Sequence, residues 1–403
     1  TLQGSNMSWS KLNKTINANS VIPLDALSCR DFGVKLPADF PFRKVKFTCQ
    51  ALAMLSQLND YDIKMVCADI MQICANPNAQ NSIKHSRNPL RRLWRTKYPF
   101  RNYHFLIEYS LKNGFINLED ILFDKQLYGS KETFSAERTM LYEVKRRSSH
   151  SYDKAMNKKE LDKVREAWDQ EKIIPTTRIN TEHAAVNGML NELTKAAWLM
   201  GTHLDSAYEG DGIKAYTLFH NPTDRVKLDL VECAFDKRLG TKSHNAQHLA
   251  AVLAQNSQQG KQVKWLAHSQ GAIIFCAALE HYRIYYGKPL TSQQLAVHGS
   301  GSNIERLKRI ANSTGLKVVA IRNNPYDLVP NLAGRNDLSA SSFVRSMKFR
   351  GLVTGEDAGA SPHTLPFLGL VTYADQLQML GYNDKADIVR KFIKTLPITD
   401  ARL

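Results

Sequence analysis

Val263-Lys264-Trp265-Leu266-Ala267-His268-Ser269-Gln270-Gly271-Ala272-Ile273-Ile274 is the stretch whose reading decides the fold. A short apolar run stops at a serine, and a smooth apolar helix pattern begins behind it. That is how a nucleophile elbow is written: a strand carries the serine to the top of a sheet and a helix leads the chain away. The turn is so tight that the residues two before and two after the serine must be small. Here they are Ala267 and Gly271. Glycine is usual at both places, so Ala267 departs from the pattern by one methyl group. The bland alternative is an ordinary strand–turn–helix with a surface serine.

An elbow serine is inert without a base and a group that orients the base. On a sheet of this kind both come later in the chain, acid first and histidine second, in loops beyond strand ends. Lys317-Val318-Val319-Ala320-Ile321 reads as a buried strand, and Asp327 follows it in Asn324-Pro325-Tyr326-Asp327-Leu328-Val329-Pro330. Its carboxylate can accept from an imidazole N–H and hold the tautomer. The competing reading is an Asx-turn aspartate that only shapes the loop. Asp337 is the second candidate. His363 is the one histidine C-terminal to Asp327, within Gly359-Ala360-Ser361-Pro362-His363-Thr364. His268 adjoins the serine, but an elbow turns neighbouring side chains away from it, so His268 reads as a packing or loop hydrogen-bond residue.

An oxyanion needs two backbone N–H donors. Gln270, first in the elbow helix, supplies one. The second is expected after the Tyr216–Phe219 strand, from His220 or Asn221, since Pro222 has no N–H. Ser269 then attacks an ester carbonyl, His363 takes and returns the proton, and Asp327 orients His363. No metal or cofactor is required, and no Cys/His cluster has zinc-ligand spacing.

Outward from this centre, strands and helices alternate from about residue 178. Ala184–Met200 reads as a helix, Ile213–Phe219 as a strand, and Val226–Leu239 and Asn245–Gln255 as helices. Gln294–His298 and Leu316–Ile321 read as strands, Phe343–Phe349 as a last strand, and Leu370–Leu380 as a closing helix. Ser302-Asn303-Ile304-Glu305 has the form of a capping box with Ser302 as the cap. The expected class is α/β: a mostly parallel, helix-covered sheet over 176–403, with ligands at the strands' C-terminal ends.

Residues 6–175 read as a separate, largely helical and basic region. Leu52, Leu55 and Leu58, then Ile63, Val66, Ile70 and Ile73, recur at helical spacings, with a break at Asn59-Asp60. Residues 109–175 look helical and charged, and Ile173–Thr177 looks like a linker. Between these lies a basic, aromatic stretch containing Arg91, Arg92, Trp94, Arg95 and Lys97. It suits a phosphate-bearing surface, with aromatics entering a headgroup layer; the plain alternative is a solvated basic face whose aromatics are core. None of the common nucleic-acid-binding signatures is present.

The 403 residues carry a formal charge of +16, which favours an anionic partner without choosing one. Six cysteines without tight spacing are not a disulfide framework. No apolar run approaches the roughly 20 residues of a membrane-spanning helix. Thr1–Ser5 reads as a protease-site scar, with no secretory signal. Action outside the cell would need a route without a cleaved signal.

The second half resembles the α/β-hydrolases, and more narrowly bacterial lipase-type toxins: type VI secretion phospholipase effectors and polymorphic-toxin lipase domains. The resemblance is carried by Phe219-His220-Asn221-Pro222-Thr223, by Ala267-His268-Ser269-Gln270-Gly271-Ala272, and by the Asn324–Pro330 loop followed by His363. It spans about residues 180 to 385. It implies a phospholipid or other membrane-ester substrate and delivery to a target cell's periplasm or membrane surface. It also implies a cognate immunity protein and a secretion-machinery partner. Two rivals stand beside it. One is a non-lipid serine esterase or thioesterase; the other is a basic membrane- or protein-binding module on a hydrolase fold.

Overall fold

The computed structural model describes residues 21–22, 33–84, 88–98, 101–123, 139–149, 163, 165–168, 173–188, 192–221, 243–353, 363 and 370–396. The chain divides into two compact units, Thr1–Arg138 and Thr139–Leu403. The division expected near residue 175 is thus corrected. Strands β7 (Met140–Lys145) and β8 (Ile174–Thr176) pair into the second unit's sheet. The stretch read as a linker is that sheet's edge strand, where Pro175 is tolerated because an edge leaves one row of ladder bonds unmade.

The first unit is not largely helical. Its helices are α1 (Cys49–Gln57) and α2 (Asp60–Ala75), capped by Thr48 and Asn59. They pack on a six-stranded sheet of β1 (Val21–Ile22), β2 (Val45–Thr48), β3 (Ser82–Lys84), β4 (Arg91–Tyr98), β5 (Arg101–Lys112) and β6 (Phe115–Phe123). Its order is β1-β2-β6-β5-β4-β3. The helical reading from residue 109 meets strands instead: β5 runs to Lys112 and β6 follows it. Phe105, Ile107 and Tyr109 are all buried at alternate positions, which is strand spacing. Asn113 and Gly114 both take positive φ, 53° and 77°, as the two-residue hairpin turn between β5 and β6 demands. The core joins Leu52, Leu55, Val66 and Ile70 of the helices to Phe47, Ile107 and Leu118 of the sheet.

The second unit is of the α/β class. It adds β9 (His183–Val186), β10 (Ala215–His220), β11 (Val263–His268), β12 (Gln293–His298) and β13 (Lys317–Arg322). The sheet order is β13-β12-β11-β9-β10-β7-β8. Strands β9 to β13 run parallel, while β7 and β8 complete the sheet antiparallel. All four residues of β9 are buried, as are five of the six in β11, which is why they read as apolar runs rather than alternations. The helices are α3 (Leu193–Ala207), α4 (His244–Gln258), α5 (Gln270–Tyr285), α6 (Ile304–Ser313), α7 (Ala340–Val353), α8 (Leu370–Met379) and α9 (Asn383–Ile393). Among the described residues no helix is long and apolar enough to cross a membrane.

Three local expectations change. The segment Ala184–Met200 is a strand followed by a helix: Ala184-Ala185-Val186 is buried in β9, and α3 starts only at Leu193. Phe343–Phe349 lies in α7. The cap of α6 is Asn303, whose side chain accepts from the Arg306 N–H at 3.0 Å; Ser302 stands one place outside. The helix expected over Val226–Leu239 lies outside the described residues.

Candidate active site

The parallel strands all end at one edge, and the chemistry-bearing residues follow those ends: Asn187 and Gly188 after β9, Ser269 after β11, Gly299 after β12 and Asp327 beyond β13. Ligands meet parallel sheets at this edge because the loops there converge.

Ser269 has φ 56° and ψ −126°. A non-glycine residue rarely adopts such a backbone, which costs on the order of 1–3 kcal/mol. The surrounding structure enforces it. The Ser269 N–H donates to the His298 carbonyl at 3.2 Å, and the Ser269 carbonyl accepts from Ala272 at 3.1 Å and Gly301 at 3.0 Å. The small residues do separate jobs. A Cβ on Gly271 would stand 2.4 Å from the Val186 carbonyl oxygen, so glycine is required there. Ala267 lies fully buried in the core of the second unit, where its methyl is accommodated.

Asp327 and His363 meet: His363 Nδ1 lies 2.6 Å from Asp327 Oδ2. The aspartate side chain is nearly enclosed and that of the histidine is a quarter exposed. The other carboxylate oxygen, Oδ1, accepts from the Val329 N–H at 2.9 Å. The two readings of Asp327 therefore both hold, one per oxygen: an Asx turn and a histidine partner. Asp337 is engaged elsewhere, by the Ser339 hydroxyl and by Arg345. Its carboxyl is held low chiefly by the Ser339 hydroxyl.

The oxyanion expectation is corrected in part. Gln270 opens α5, where a first-turn N–H has no acceptor within the helix. Asn221 is not free to be the second donor, because its N–H donates to Asn187 Oδ1 at 2.8 Å. His220 closes β10, and β9 lies between β10 and the serine strand. The segment against the serine follows β9 instead. A Cβ on Gly188 would fall 2.7 Å from Ser269 Cβ and 3.1 Å from its Oγ. Buried amides tie this segment together. Asn187 Nδ2 donates to the carbonyls of Gly188 and Asn221, and Asn221 Nδ2 donates to Gln270 Oε1 at 3.1 Å. Sequence reasoning missed Asn187 and Gly188 because it placed a helix over them; the apolar triplet before them was the available signal.

Three further histidines sit at this edge. His268 and His298 are directly paired across β11 and β12, and His203 comes from α3. Their rings are buried, with His203 Nδ1 2.9 Å from His298 Nδ1. Burial, and secondarily Arg322, pushes the His298 imidazole down to about 3. Burial first, then His363, holds that of His268 well below the usual histidine range.

In the first unit the expected membrane-facing residues are mostly occupied. Trp94 is 1 % exposed and donates to Asp69 Oδ1 at 2.9 Å, so it belongs to the core and is not available to a headgroup layer. Arg91 lies 3.3 Å from Glu108 and 3.6 Å from Glu119. Arg92 donates to the Pro77 carbonyl and the Asn78 side chain. The side chains of Arg95 and Lys97 lie outside the described residues.

No protein-family model matches the chain, and neither a curated protein nor a solved structure matches it.

Proposed function

We propose that the chain is a serine hydrolase of carboxylic esters, built on an α/β-hydrolase-type sheet. Ser269 is the nucleophile, His363 the general base and Asp327 the orienting acid. The observation that supports this is the 2.6 Å contact of His363 Nδ1 with Asp327 Oδ2 at the sheet edge where Ser269 holds a strained, elbow-like backbone. With Nδ1–H donated to Asp327, Nε2 is bare and able to accept the serine proton. The Ser269 oxygen adds to the carbonyl carbon. The oxyanion is held by the Gln270 N–H and by a backbone N–H of the Gly188 segment. The tetrahedral intermediate collapses, the alcohol leaves with the proton from His363, and water repeats the cycle to release the acid.

Membrane lipid esters are the substrate class we favour. The net charge of +16 favours approach to an anionic surface. Helix α7 adjoins the Asp327 loop, through Asn331 and Ser346, and leaves Phe343, Val344 and Met347 half exposed. The secreted-effector role, with its immunity protein, follows from the resemblance to lipase-type toxins. Mixed phospholipid liposomes incubated with the wild type and with Ser269→Ala test the reading by mass spectrometry. Lysophospholipid or free fatty acid from the wild type alone is the expected result. Hydrolysis of a short soluble ester without lipid products would keep the hydrolase and remove the membrane substrate.

A further inference from the structure

We propose that His268, the residue before the nucleophile, is the positioning residue of the base: it holds the main chain of His363 while Asp327 holds the ring. His268 Nε2 lies 2.9 Å from the His363 carbonyl oxygen. A carbonyl only accepts, so Nε2 carries the hydrogen and donates it. The two imidazoles also lie against each other, tilted, with centroids 4.8 Å apart and planes 35° from parallel. Gly299, at φ 54°, leaves them this space. A Cβ there would stand 3.1 Å from His363 Cε1 and Nδ1 and 3.6 Å from His268 Nε2.

Packing alone does not account for an imidazole at this place. His268 is 3 % exposed, and its Nδ1 has no hydrogen-bond partner among the described residues. An apolar side chain would avoid burying that bare nitrogen, which costs about 1–3 kcal/mol. The one polar atom that is satisfied is the one that grips His363. His268 also lies against His203, with ring centroids 4.4 Å apart, and His203 is in turn engaged by His298. His268 is therefore held by its contact with the buried His203 ring and by its place at the end of β11. It carries that rigidity to a base supplied from far along the chain. A general base must stand within hydrogen-bond reach of its proton, and a displacement of about 1 Å can cost on the order of 100-fold in rate.

The kinetic part of this inference rests on the hydrolase reading; its structural part does not. Two variants separate donor from filler. His268→Gln keeps an N–H the same number of bonds from Cβ as Nε2, and His268→Leu removes it. The low-field imidazole N–H resonance of a histidine bonded to a carboxylate reports the His363–Asp327 pair, with its removal by Asp327→Asn as the assignment control. We expect the resonance in the wild type and in His268→Gln, and its loss in His268→Leu at unchanged near-UV circular dichroism. We expect kcat for a soluble ester to fall about 10- to 100-fold in His268→Leu at little-changed KM, and to recover to within about threefold in His268→Gln. The proposal is overturned if the resonance survives in His268→Leu, if both variants lose it equally, or if the wild type has none that Asp327→Asn removes. A resonance that follows the donor in a protein that cleaves no ester would uphold the positioning and remove the hydrolase reading.

Discussion

Gly188 and Ser269 occupy each other's side-chain space: a Cβ on the glycine would stand 2.7 Å from the serine Cβ and 3.1 Å from its hydroxyl. The loop after β9 can lie against Ser269 only because it has no side chain there. Gly188→Ala is therefore expected to displace either the serine or the loop and to lower kcat/KM for an ester about 100-fold. The overpacking should cost about 1–3 kcal/mol of stability. Steady-state kinetics with a urea titration would check both. Activity within threefold of wild type would mean that this loop does not bound the reacting centre.

Ser269 itself should be a site where stability and activity oppose each other. At φ 56° and ψ −126° any side chain is strained, and glycine is not. Ser269→Gly and Ser269→Ala should both abolish ester cleavage. The glycine variant should nonetheless be the more stable of the two by about 1 kcal/mol, after the entropy that glycine adds to the unfolded chain. Denaturant midpoints of the two would decide it, and an alanine variant of equal or greater stability would contradict the strained turn.

Asp327→Asn keeps an oxygen for the Val329 N–H but replaces the acceptor of His363 Nδ1–H. The imidazole then favours the tautomer with its hydrogen on Nε2, the nitrogen that the proposed mechanism needs bare. A fall in kcat of about 10⁴ is expected, with the fold intact. Labelling of Ser269 by a fluorophosphonate should slow in parallel. Labelling at the wild-type rate would remove Asp327 from the chemistry.

Asp120 gives a pH dependence that belongs to the first unit and not to the active site. It is enclosed, with Oδ1 accepting from the Ile121 N–H at 2.8 Å and Oδ2 from Gln50 Nε2 at 2.5 Å. Burial raises its carboxyl from 3.8 to about 6, with Glu108 adding to the rise and the Ile121 N–H and Arg91 opposing it. The folded state then binds the proton more tightly than the unfolded one. No stability is lost below the unfolded value, and the cost grows as pH rises to about 6 and stays above it. Asp120→Asn should match the wild type near pH 3 and exceed it at pH 8 by on the order of 1–3 kcal/mol. A difference between the two that does not change with pH would show the carboxyl to be unperturbed.

Much of the second unit was legible because β9 to β12 are buried on both faces and helices follow the strands at regular intervals. Val263–His268, Gln293–His298 and Lys317–Arg322 stand where their apolar runs put them, although Lys317–Arg322, expected to be buried, is the sheet's partly exposed edge strand. The short strand His183–Val186 was hidden, since three apolar residues, Ala184 to Val186, fit the start of a helix as well as a strand. In the first unit Asn113-Gly114 is a hairpin signal that the reading of residues 109–175 as a charged helix passed over. Ser302 and Asn303 are equally good caps, and only the backbone shows which one stands at the helix start.

By itself the sequence determined the elbow, because a small–x–Ser–x–small turn between an apolar strand and an apolar helix is a local matter of sterics. It also determined the order in which an acid and a histidine follow. The tertiary structure decided what has no local signature. It placed β9, and not β10, beside the serine strand, which moves the loop against Ser269 from Asn221 to Gly188. It sent Asp327, and not Asp337, to His363. And it set His268 against His363, because parallel pairing in register brings His268 and His298 side by side where α3 supplies His203. Strand order and register are set by packing across the whole sheet, and no window of sequence contains them.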